Sequence, residues 1–330
     1  MLIVFGGTGF VGQHTAAELV GAGETVVVTS HVRRREAILL RSAVERGQAF
    51  VEAVELTDAD QVMRLVAKYR PERIIDLSGY PPKELRPAEE VLARTQGTLN
   101  IFEAARRHDV SRVVIMSSMD AYWGLGASSV PYHEDMPVPL QDETDNYIVQ
   151  SWAKKSLEVI ASLYRRQLGL DIVTVRAAGL YGPLYRTFLN LPSRLIRAAL
   201  AKALPDFGPG GSALPIAENG YDLLYVRDAA TGLARIALAP QLQHFIYNMG
   251  SGHATTHGEV ASAVEQAISG FAVTLRSRTD IGNPPRGREA DMANVYLDSS
   301  RIAQELGFTP RFTLEQGIRD YVNWLREHPE

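Results

Sequence analysis

The chain has 330 residues, 45% of them hydrophobic and 22% charged, which is the composition of an ordinary globular protein with at most two lobes. Its net charge of -4 gives no reason to expect a nucleic acid or an anionic membrane as partner, and no apolar run approaches the roughly 18 residues that span a bilayer. The absence of cysteine excludes disulfides, thiolate zinc sites and cysteine nucleophiles, and the default location is the cytoplasm.

Short apolar or β-branched runs alternate with helical patterns from the first residue onward. Strands are predicted over residues 2–5, 25–29, 50–56, 73–77, 112–116 and 172–175. Helices are predicted between them, over residues 11–21, 58–69, 88–108 and 148–168. This repeated alternation of strand and helix predicts an α/β fold built on a Rossmann-type doubly wound parallel sheet.

The regular alternation ends after Gly182-Pro183. Further elements follow: a loop rich in glycine and proline at 205–220, strands at 223–226 and 245–248, and helices at 256–268 and 299–306. We therefore expect residues 1–178, rejoined by residues 221–250, to form the larger domain. Residues 179–220 and 251–330 are expected to form a smaller C-terminal lobe that binds the substrate.

A glycine loop follows the first predicted strand and opens the first predicted helix. It is the segment Gly6-Gly7-Thr8-Gly9-Phe10-Val11-Gly12. Gly6 permits a tight turn, Gly9 lets the backbone approach a pyrophosphate, and Gly12 lets the helix pack close to the strand. The helix N-terminus adds unpaired N–H groups and a positive dipole end. The loop, with Thr8, Phe10 and Val11, therefore predicts that the larger domain binds NAD or NADP.

The end of the second strand decides which dinucleotide is held. An acidic residue there accepts hydrogen bonds from the adenosine ribose, but here Ser30 or His31 occupies that place, and Arg33 and Arg34 follow closely. A guanidinium suits a 2′-phosphate, so we expect NADP rather than NAD. The alternative is that these arginines form a solvated helix start.

Motifs along nearly the whole chain resemble those of the extended short-chain dehydrogenase/reductases, the group of NAD-dependent epimerases and dehydratases. Besides the glycine loop, the matching segments are Asp76-Leu77-Ser78-Gly79, Gly97-Thr98-Leu99-Asn100, residues 176–183, Val226-Arg227-Asp228 and residues 247–252. The resemblance implies that Glu55 and Leu56 contact the adenine. It also implies that Leu77, Ser78 and Gly79 line the cofactor.

The resemblance implies catalysis by a tyrosine, a lysine four residues later on the same helix face, and a nearby serine or threonine. Lys154 matches the lysine, which in the family also holds the nicotinamide ribose. Four residues earlier stands Gln150, whose amide cannot ionise near neutral pH. Met119 stands at the hydroxyl position, with Asp120 beside it. Two of the three catalytic positions have therefore lost their usual groups.

One interpretation is an NAD(P)-dependent oxidoreductase or epimerase/dehydratase with a rewired active site. Tyr147 precedes Lys154 by two helical turns, roughly 10 Å along the axis, and shares its face. Asp120 is the strongest acid/base candidate, because a carboxylate directly after the fifth strand serves that role in related dehydratases. The candidate catalytic residues are Lys154, Asp120, Tyr147, Ser118 and Gln150. The competing interpretation is a cofactor-binding regulatory or interaction protein without redox turnover.

The substrate signals are mixed. Members of the group that act on sugar nucleotides carry two arginines, of which Arg288 matches one while Tyr221 replaces the other. A small or aromatic substrate without a nucleotide is equally open, and Tyr122, Trp123 and Tyr181 would line an apolar cleft for it.

Remaining expectations concern partners and histidines. The resemblance implies a homodimer formed by the helices around residues 97–107 and 151–164. His253 and His257 have a spacing that suits a metal, but no third ligand lies near in sequence, so no metal is expected. His14, just after the glycine loop, is expected on the helix surface.

Overall fold

The computed structural model describes residues 1–31, 36–79, 86–140, 148–186, 189–207, 215–280 and 293–328. Its strands are β1 Leu2–Phe5, β2 Val26–Ser30, β3 Ala49–Ala53, β4 Arg73–Asp76, β5 Arg112–Ser118, β6 Ile172–Ala177, β7 Gly179–Tyr181, β8 Gly220–Tyr221, β9 Leu223–Tyr225, β10 Ile246–Met249 and β11 Thr255–Thr256. Its helices are α1 Phe10–Gly21, α2 Arg41–Glu45, α3 Ala59–Tyr69, α4 Pro87–Arg107, α5 Ile148–Leu168, α6 Leu191–Leu200, α7 Val226–Leu238, α8 His257–Ala267, α9 Ser300–Leu306 and α10 Leu314–Glu327.

Seven of these strands form one parallel sheet in the order β10-β6-β5-β4-β1-β2-β3. The predicted Rossmann-type doubly wound fold is thereby confirmed. The chain order reverses between β1 and β4, so a crevice opens there at the carboxyl ends of the strands, where such folds bind ligands. The glycine loop follows β1 and the segment 77–79 follows β4, so both lie at that crevice.

The inner strands of the sheet are buried on both faces, which is why apolar residues predominate in them. In β1, Leu2 and Val4 pack on one side with α1 and α7, and Ile3 and Phe5 pack on the other with α3, α4 and α5. All four side chains are fully buried. This alternation between two cores follows from the two-residue period of a strand.

A third core lies outside the sheet and joins β7 and β9 to α6, α8 and α10. Strand β10 returns to the main sheet beside β6. The division into two lobes at the residues given above stays a prediction. Across the described ranges, none of the helices combines the length and the apolar character needed to cross a bilayer.

Strand β3 is shorter than predicted and ends at Ala53. The predicted continuation turns instead, because the carboxylate of Glu55 accepts hydrogen bonds from both the N–H and the hydroxyl of Thr57. Such a local side-chain bond competes with the strand ladder.

Candidate active site

The glycine loop is packed too tightly to accept side chains. Gly6 has a φ of +69°, and a Cβ on it would lie 2.7 Å from the carbonyl oxygen of Leu77. A Cβ on Gly12 would lie 2.3 Å from the carbonyl oxygen of Gly6, and one on Gly7 would lie 2.6 Å from the Cβ of Val28. Glycine is therefore required at all three positions. Sequence spacing predicts the roles of Gly6 and Gly12 but not that of Gly7, whose constraint comes from β2.

The first turn of α1 has no side-chain cap. Gly9 is its N-cap residue, and no side chain accepts a hydrogen bond there. Thr8 is tied to β2, because its N–H donates to the carbonyl oxygen of Thr29 at 3.2 Å. Phe10 and Val11 pack against the hydrophobic cores. The start of α1 therefore offers backbone N–H groups and the positive end of a helix dipole to an anion.

The end of β2 presents a hydroxyl where a carboxylate is usual for NAD. Ser30 is 3% exposed, and its Oγ has no hydrogen-bond partner among the described residues. His31 follows, with its Nε2 2.7 Å from Oε2 of Glu55. Burial works to raise the pKa of Glu55, but hydrogen bonds from Thr57 and His31 outweigh it and hold that pKa below its ordinary value. Glu55 is thus an ionised carboxylate beside the predicted adenosine position.

The loop after β4 runs beside the glycine loop. The N–H of Leu77 donates to the carbonyl oxygen of Phe5, and the N–H of Ser78 donates to the Asp76 carboxylate, both at 3.0 Å. Asp76 is buried, and burial raises the pKa of its carboxyl. With Gly79, this loop forms one wall of a cavity at the crevice.

Helix α4 forms a second wall of this cavity. Asn100 donates to the carbonyl oxygen of Leu56 at 2.7 Å, and a Cβ on Gly97 would lie only 3.1 Å from that of Leu56. Arg94 lines the cavity as well, with its side chain 9% exposed. Sequence reasoning missed Arg94, since nothing in its spacing distinguishes it from a surface arginine.

Lys154 reaches the same cavity from α5. Its Nζ donates to the carbonyl oxygen of Met116 in β5 at 2.5 Å. Burial, assisted by the positive charge of Arg94, lowers the pKa of Lys154 to about 8, against the opposing effect of the Asp76 and Asp120 carboxylates. An amine with such a pKa holds positive charge near neutral pH and still exchanges protons readily.

Asp120 lies on a short 3-10 turn, Met119–Tyr122, that follows β5. Its N–H donates to the Oγ of Ser118 at 3.2 Å, and its carbonyl oxygen accepts from the hydroxyl of Ser151 at 2.9 Å. The two serines thereby fix the backbone that carries the Asp120 carboxylate. Met119, at the predicted hydroxyl position, is 4% exposed and packs in the hydrophobic core.

Three aromatic residues expected to line a substrate cleft pack in the interior instead. Tyr122 is fully buried, and its hydroxyl donates to Asn248 and accepts from Arg176, both at 2.8 Å. Trp123 and Tyr181 are buried as well. Their role in lining an apolar substrate cleft stays a prediction, because a sequence pattern does not separate an aromatic ring in a cleft from one in a core.

A buried ion pair anchors α5 to the sheet. Arg176 in β6 and Glu158 in α5 lie 2.7 Å apart with side chains 3% and 10% exposed, and Ser117 donates to the same carboxylate at 2.5 Å. Although burial works against it, the hydrogen bond and charge of Glu158 raise the pKa of Arg176. Glu158 follows Lys154 by one helical turn, so the pair sets the rotation of α5 that presents Lys154.

His14 is buried, which corrects the expectation that it lies on the surface of α1. Its Nε2 lies 3.2 Å from the carbonyl oxygen of Pro183, so this nitrogen carries a proton and donates. Burial lowers the pKa of His14 to about 4, although the hydrogen bond to Pro183 opposes the shift. His14 thus joins the glycine-loop helix to the loop after β7.

Some predicted site residues lie outside the described residues. They are Arg33, Arg34, Tyr147 and Arg288, together with the side chain of Gln150, whose backbone lies in the first turn of α5. Tyr221 is described, and its ring packs so closely over Gly179 that a Cβ there would lie 2.5 Å from it. Within the described ranges, no three histidine or acidic side chains are grouped to hold a metal ion, and His257 Nδ1 donates to the carbonyl oxygen of Ile216.

Comparisons with known proteins agree with this geometry. Residues 2–250 match a family model described as the NAD dependent epimerase/dehydratase family. A dTDP-glucose 4,6-dehydratase of Haemophilus influenzae is 22% identical, over 98% of this chain and 97% of that protein.

Two solved structures have the same fold. A UDP-glucose 4-epimerase of Thermotoga maritima, solved with UDP-glucose, superposes with a TM-score of 0.80 at 21% identity and covers 100% of this chain and 99% of its own. A Thermus thermophilus UDP-glucose 4-epimerase in complex with NAD gives a TM-score of 0.77 at 22% identity and covers 99% of both chains.

Proposed function

The chain belongs to the NAD dependent epimerase/dehydratase family, and we propose that it uses a nicotinamide dinucleotide to epimerise or dehydrate a sugar nucleotide. One observation carries this proposal: the loop after β4 contacts the glycine loop before the uncapped start of α1, and the same β4 loop forms a wall of the cavity that Lys154 lines. A phosphate-binding helix end and an amine that lines the neighbouring cavity are two parts that such chemistry uses to hold a dinucleotide.

The residues present fit that cofactor. The glycine loop leaves no room for side chains near the start of α1, and Ser30 Oγ is a buried hydroxyl without a described partner at the end of β2. When bound, the dinucleotide would supply reversible hydride transfer. Lys154 would then bind the nicotinamide ribose and hold positive charge beside it, as the resemblance implies.

We propose NADP as the preferred form. No carboxylate stands at the end of β2, where one would accept bonds from the ribose hydroxyls and repel a 2′-phosphate. Glu55 lies nearby, but its carboxylate is already engaged by hydrogen bonds with His31 and Thr57. Titration with NADPH and NADH tests this preference, with NADPH expected to bind more tightly. The Ser30→Asp variant is expected to reverse the order, and tighter binding of NADH by the unaltered protein would refute the proposal.

We propose Asp120 as the acid/base group in place of the missing tyrosine. Its backbone is fixed on both sides by Ser118 and Ser151, and its charge acts on Lys154. Proton transfer by a positioned carboxylate requires this kind of rigidity. Ser118 stays in the candidate set as a hydroxyl beside it, and Gln150 and Tyr147 stay candidates from the sequence.

For the substrate we propose a sugar nucleotide, because the named relatives above act on dTDP-glucose or UDP-glucose. Tyr221 cannot supply the diphosphate contact that an arginine makes in that place. The diphosphate would therefore rely on other cations, of which Arg288 is the sequence candidate. Turnover of free sugars or simple carbonyls in an assay would instead indicate a small substrate without a nucleotide.

The decisive experiment incubates the purified protein with UDP-glucose and dTDP-glucose and follows epimerisation or loss of water by mass spectrometry and NMR. The wild type is expected to convert at least one of them. Asp120→Asn is expected to lower kcat by about 10²- to 10⁴-fold without weakening dinucleotide binding.

Asp135→Asn is the matched control, since Asp135 is an exposed carboxylate paired with Arg301 away from the cavity. Full activity of Asp120→Asn would exclude Asp120 as the acid/base group. Dinucleotide binding with no turnover on any nucleotide sugar, free sugar or carbonyl would favour a regulatory protein instead.

We further propose a homodimer formed by α4 and α5. Large apolar side chains are exposed on these helices: Leu92 on α4 is 68% exposed, and Val159 and Leu163 on α5 are 65% and 54% exposed. Val159 and Leu163 are four residues apart and share one helix face, and clustered exposed apolar side chains mark an interaction surface more often than ones scattered singly.

A further inference from the structure

Lys155 is a buried lysine beside Lys154 on α5, and the proposed function gives it no role. The residue is only 3% exposed. Its Nζ donates to the backbone carbonyl oxygens of Trp123 at 3.3 Å and of Pro139 at 2.5 Å. Taking an ammonium group out of water is costly, and charge-assisted hydrogen bonds of this kind are what offset the cost. Lys155 therefore ties α5 to both ends of the segment 123–139.

The contact at Trp123 lies directly after the 3-10 turn that carries Asp120. The N–H of Trp123 donates to the carbonyl oxygen of Asp120 at 3.1 Å. The same oxygen accepts a hydrogen bond from the hydroxyl of Ser151 at 2.9 Å. Ser151 precedes Lys155 by four residues, so the two side chains lie on one face of α5. This face of the helix holds the chain at Asp120 and again at Trp123.

Lys154 leaves the helix in a different direction. Its Nζ donates to the carbonyl oxygen of Met116 and lines the cavity at the crevice. Successive residues of a helix are about 100° apart around its axis, so neighbouring lysines serve different surfaces. Helix α5 thus presents Lys154 to the cavity and holds the turn of Asp120 with the adjoining face. The placement of Asp120 relative to Lys154 depends on that second set of contacts.

We propose that Lys155 is a positioning residue that fixes the Asp120 carboxylate relative to Lys154 by clamping the backbone after the 3-10 turn onto α5. The inference rests on the proposed acid/base role of Asp120. Lys155 acts through the backbone of Trp123 and needs no contact with the substrate. Catalysis depends so closely on geometry that a displacement of about 1 Å can lower a rate about a hundredfold.

A double-mutant cycle tests the coupling of Lys155 to Asp120. Lys155→Met removes the ammonium group but keeps a long side chain, and it is expected to lower kcat about ten- to hundredfold on whichever of UDP-glucose and dTDP-glucose the wild type converts. KM and NADPH binding are expected to stay near the wild-type values. In the Asp120→Asn background the same change is expected to cause little further loss, because residues that act as a unit are not additive.

Lys68→Met is the matched control, since Lys68 lies on α3 in an exposed ion pair with Glu52. It is expected to keep the wild-type kcat. Lys155→Gln is a milder variant whose uncharged amide can still donate to one carbonyl oxygen, and its kcat is expected to fall between those of the wild type and Lys155→Met. If Lys155→Met does not fold, the same cycle with Lys155→Gln decides.

Three results of the cycle would overturn the inference alone. They are a wild-type kcat in the Lys155 variants, an equal loss with and without the Asp120 carboxylate, and a parallel loss of NADPH binding, which would indicate a general structural role. Full activity of Asp120→Asn would instead overturn the proposed acid/base role together with this inference.

A spectroscopic measurement tests the clamp without turnover. Trp123 is buried, and it becomes the single tryptophan when Trp152 and Trp324 are replaced by phenylalanine. In that background Lys155→Met is expected to increase the quenching of Trp123 fluorescence by acrylamide, because the backbone after the turn loses its tie to α5. Unchanged quenching would show that Lys155 does not hold this segment and would overturn the inference even where the proposed function holds.

Discussion

Gly12 lies where α1 passes over the glycine loop. Only a hydrogen atom fits there in place of a side chain. An added Cβ would lie 2.3 Å from the carbonyl oxygen of Gly6, and that oxygen belongs to the backbone and cannot move aside as a flexible side chain would. Gly12→Ala is therefore expected to displace the start of α1, lowering the free energy of unfolding by about 1–3 kcal/mol and weakening dinucleotide binding. Denaturant unfolding and NADPH titration measure the two effects.

Gly21 supplies the control for this change. It ends the same helix, and a Cβ on it would meet nothing within 4 Å. Gly21→Ala is expected to keep dinucleotide binding and to leave stability unchanged or raise it by up to about 1 kcal/mol, because alanine favours helix. Equal dinucleotide affinity of Gly12→Ala and Gly21→Ala would contradict the tight packing described for the loop.

His14 makes stability depend on pH in a direction that its burial fixes. Its pKa is about 4 in the folded protein, against an ordinary value of 6.5 that applies once the chain unfolds. As pH falls below 6.5 the unfolded chain binds a proton that the folded protein resists, so stability falls until about pH 4. Near pH 5 this loss amounts to about 2 kcal/mol relative to neutral pH.

His14→Gln isolates that effect, because the glutamine amide can still donate to the carbonyl oxygen of Pro183 but does not titrate. Denaturant unfolding at neutral pH and near pH 5 is expected to show a smaller loss of stability on acidification in the variant than in the wild type. If both proteins lose the same stability, another group is responsible for the acid sensitivity.

Residues of the candidate site differ in how far the sequence predicts them. The glycine spacing after an apolar strand is a local signal, and it suffices to place Gly6, Gly9 and Gly12. Arg94 and Ser117 carry no such signal. Their importance arises because α4, α5 and β5 meet in space, which a single sequence does not record.

At the level of elements, the strands of the main sheet are the best predicted. Segments buried on both faces are continuous apolar runs bounded by polar turns, and β1, β4, β5 and β6 have this pattern. Helix α5 was predicted over the residues it occupies in the structure. Its length and its amphipathic pattern both come from local sequence.

Helix α7 was missed, and its surroundings explain why. No side chain caps its N-terminus at Tyr225, and the preceding strand runs directly into it. Gly232 in its middle weakens helix propensity, yet a Cβ there would lie 2.5 Å from the Sδ of Met249. Close packing on β10 therefore requires a residue that local propensity disfavours. Only the tertiary structure shows that close packing on β10 outweighs the low helix propensity of Gly232.

At the scale of the whole molecule, helices α4 and α5 carry the surface proposed for the homodimer. They cover one face of the sheet together, and Tyr164 of α5 donates to the carboxylate of Glu103 on α4 at 2.8 Å. Trp152, Val159 and Leu163 are spaced by seven and four residues and share the outer face of α5. This face is the one that a second copy would cover in the proposed homodimer.

Replacing Val159 and Leu163 by glutamate tests that assembly. Two carboxylates buried in an apolar interface without partners cost far more than the contacts they replace, so the variant is expected to sediment at the single-chain mass of 36.3 kDa. The wild type is expected at twice that mass. Both side chains are exposed in the isolated chain, so the circular dichroism spectrum and NADPH binding should be retained.

Leu204→Glu is the control, because Leu204 is 91% exposed but lies outside α4 and α5. A wild type that sediments as a single chain, or a double variant that still dimerises, would refute the proposed interface.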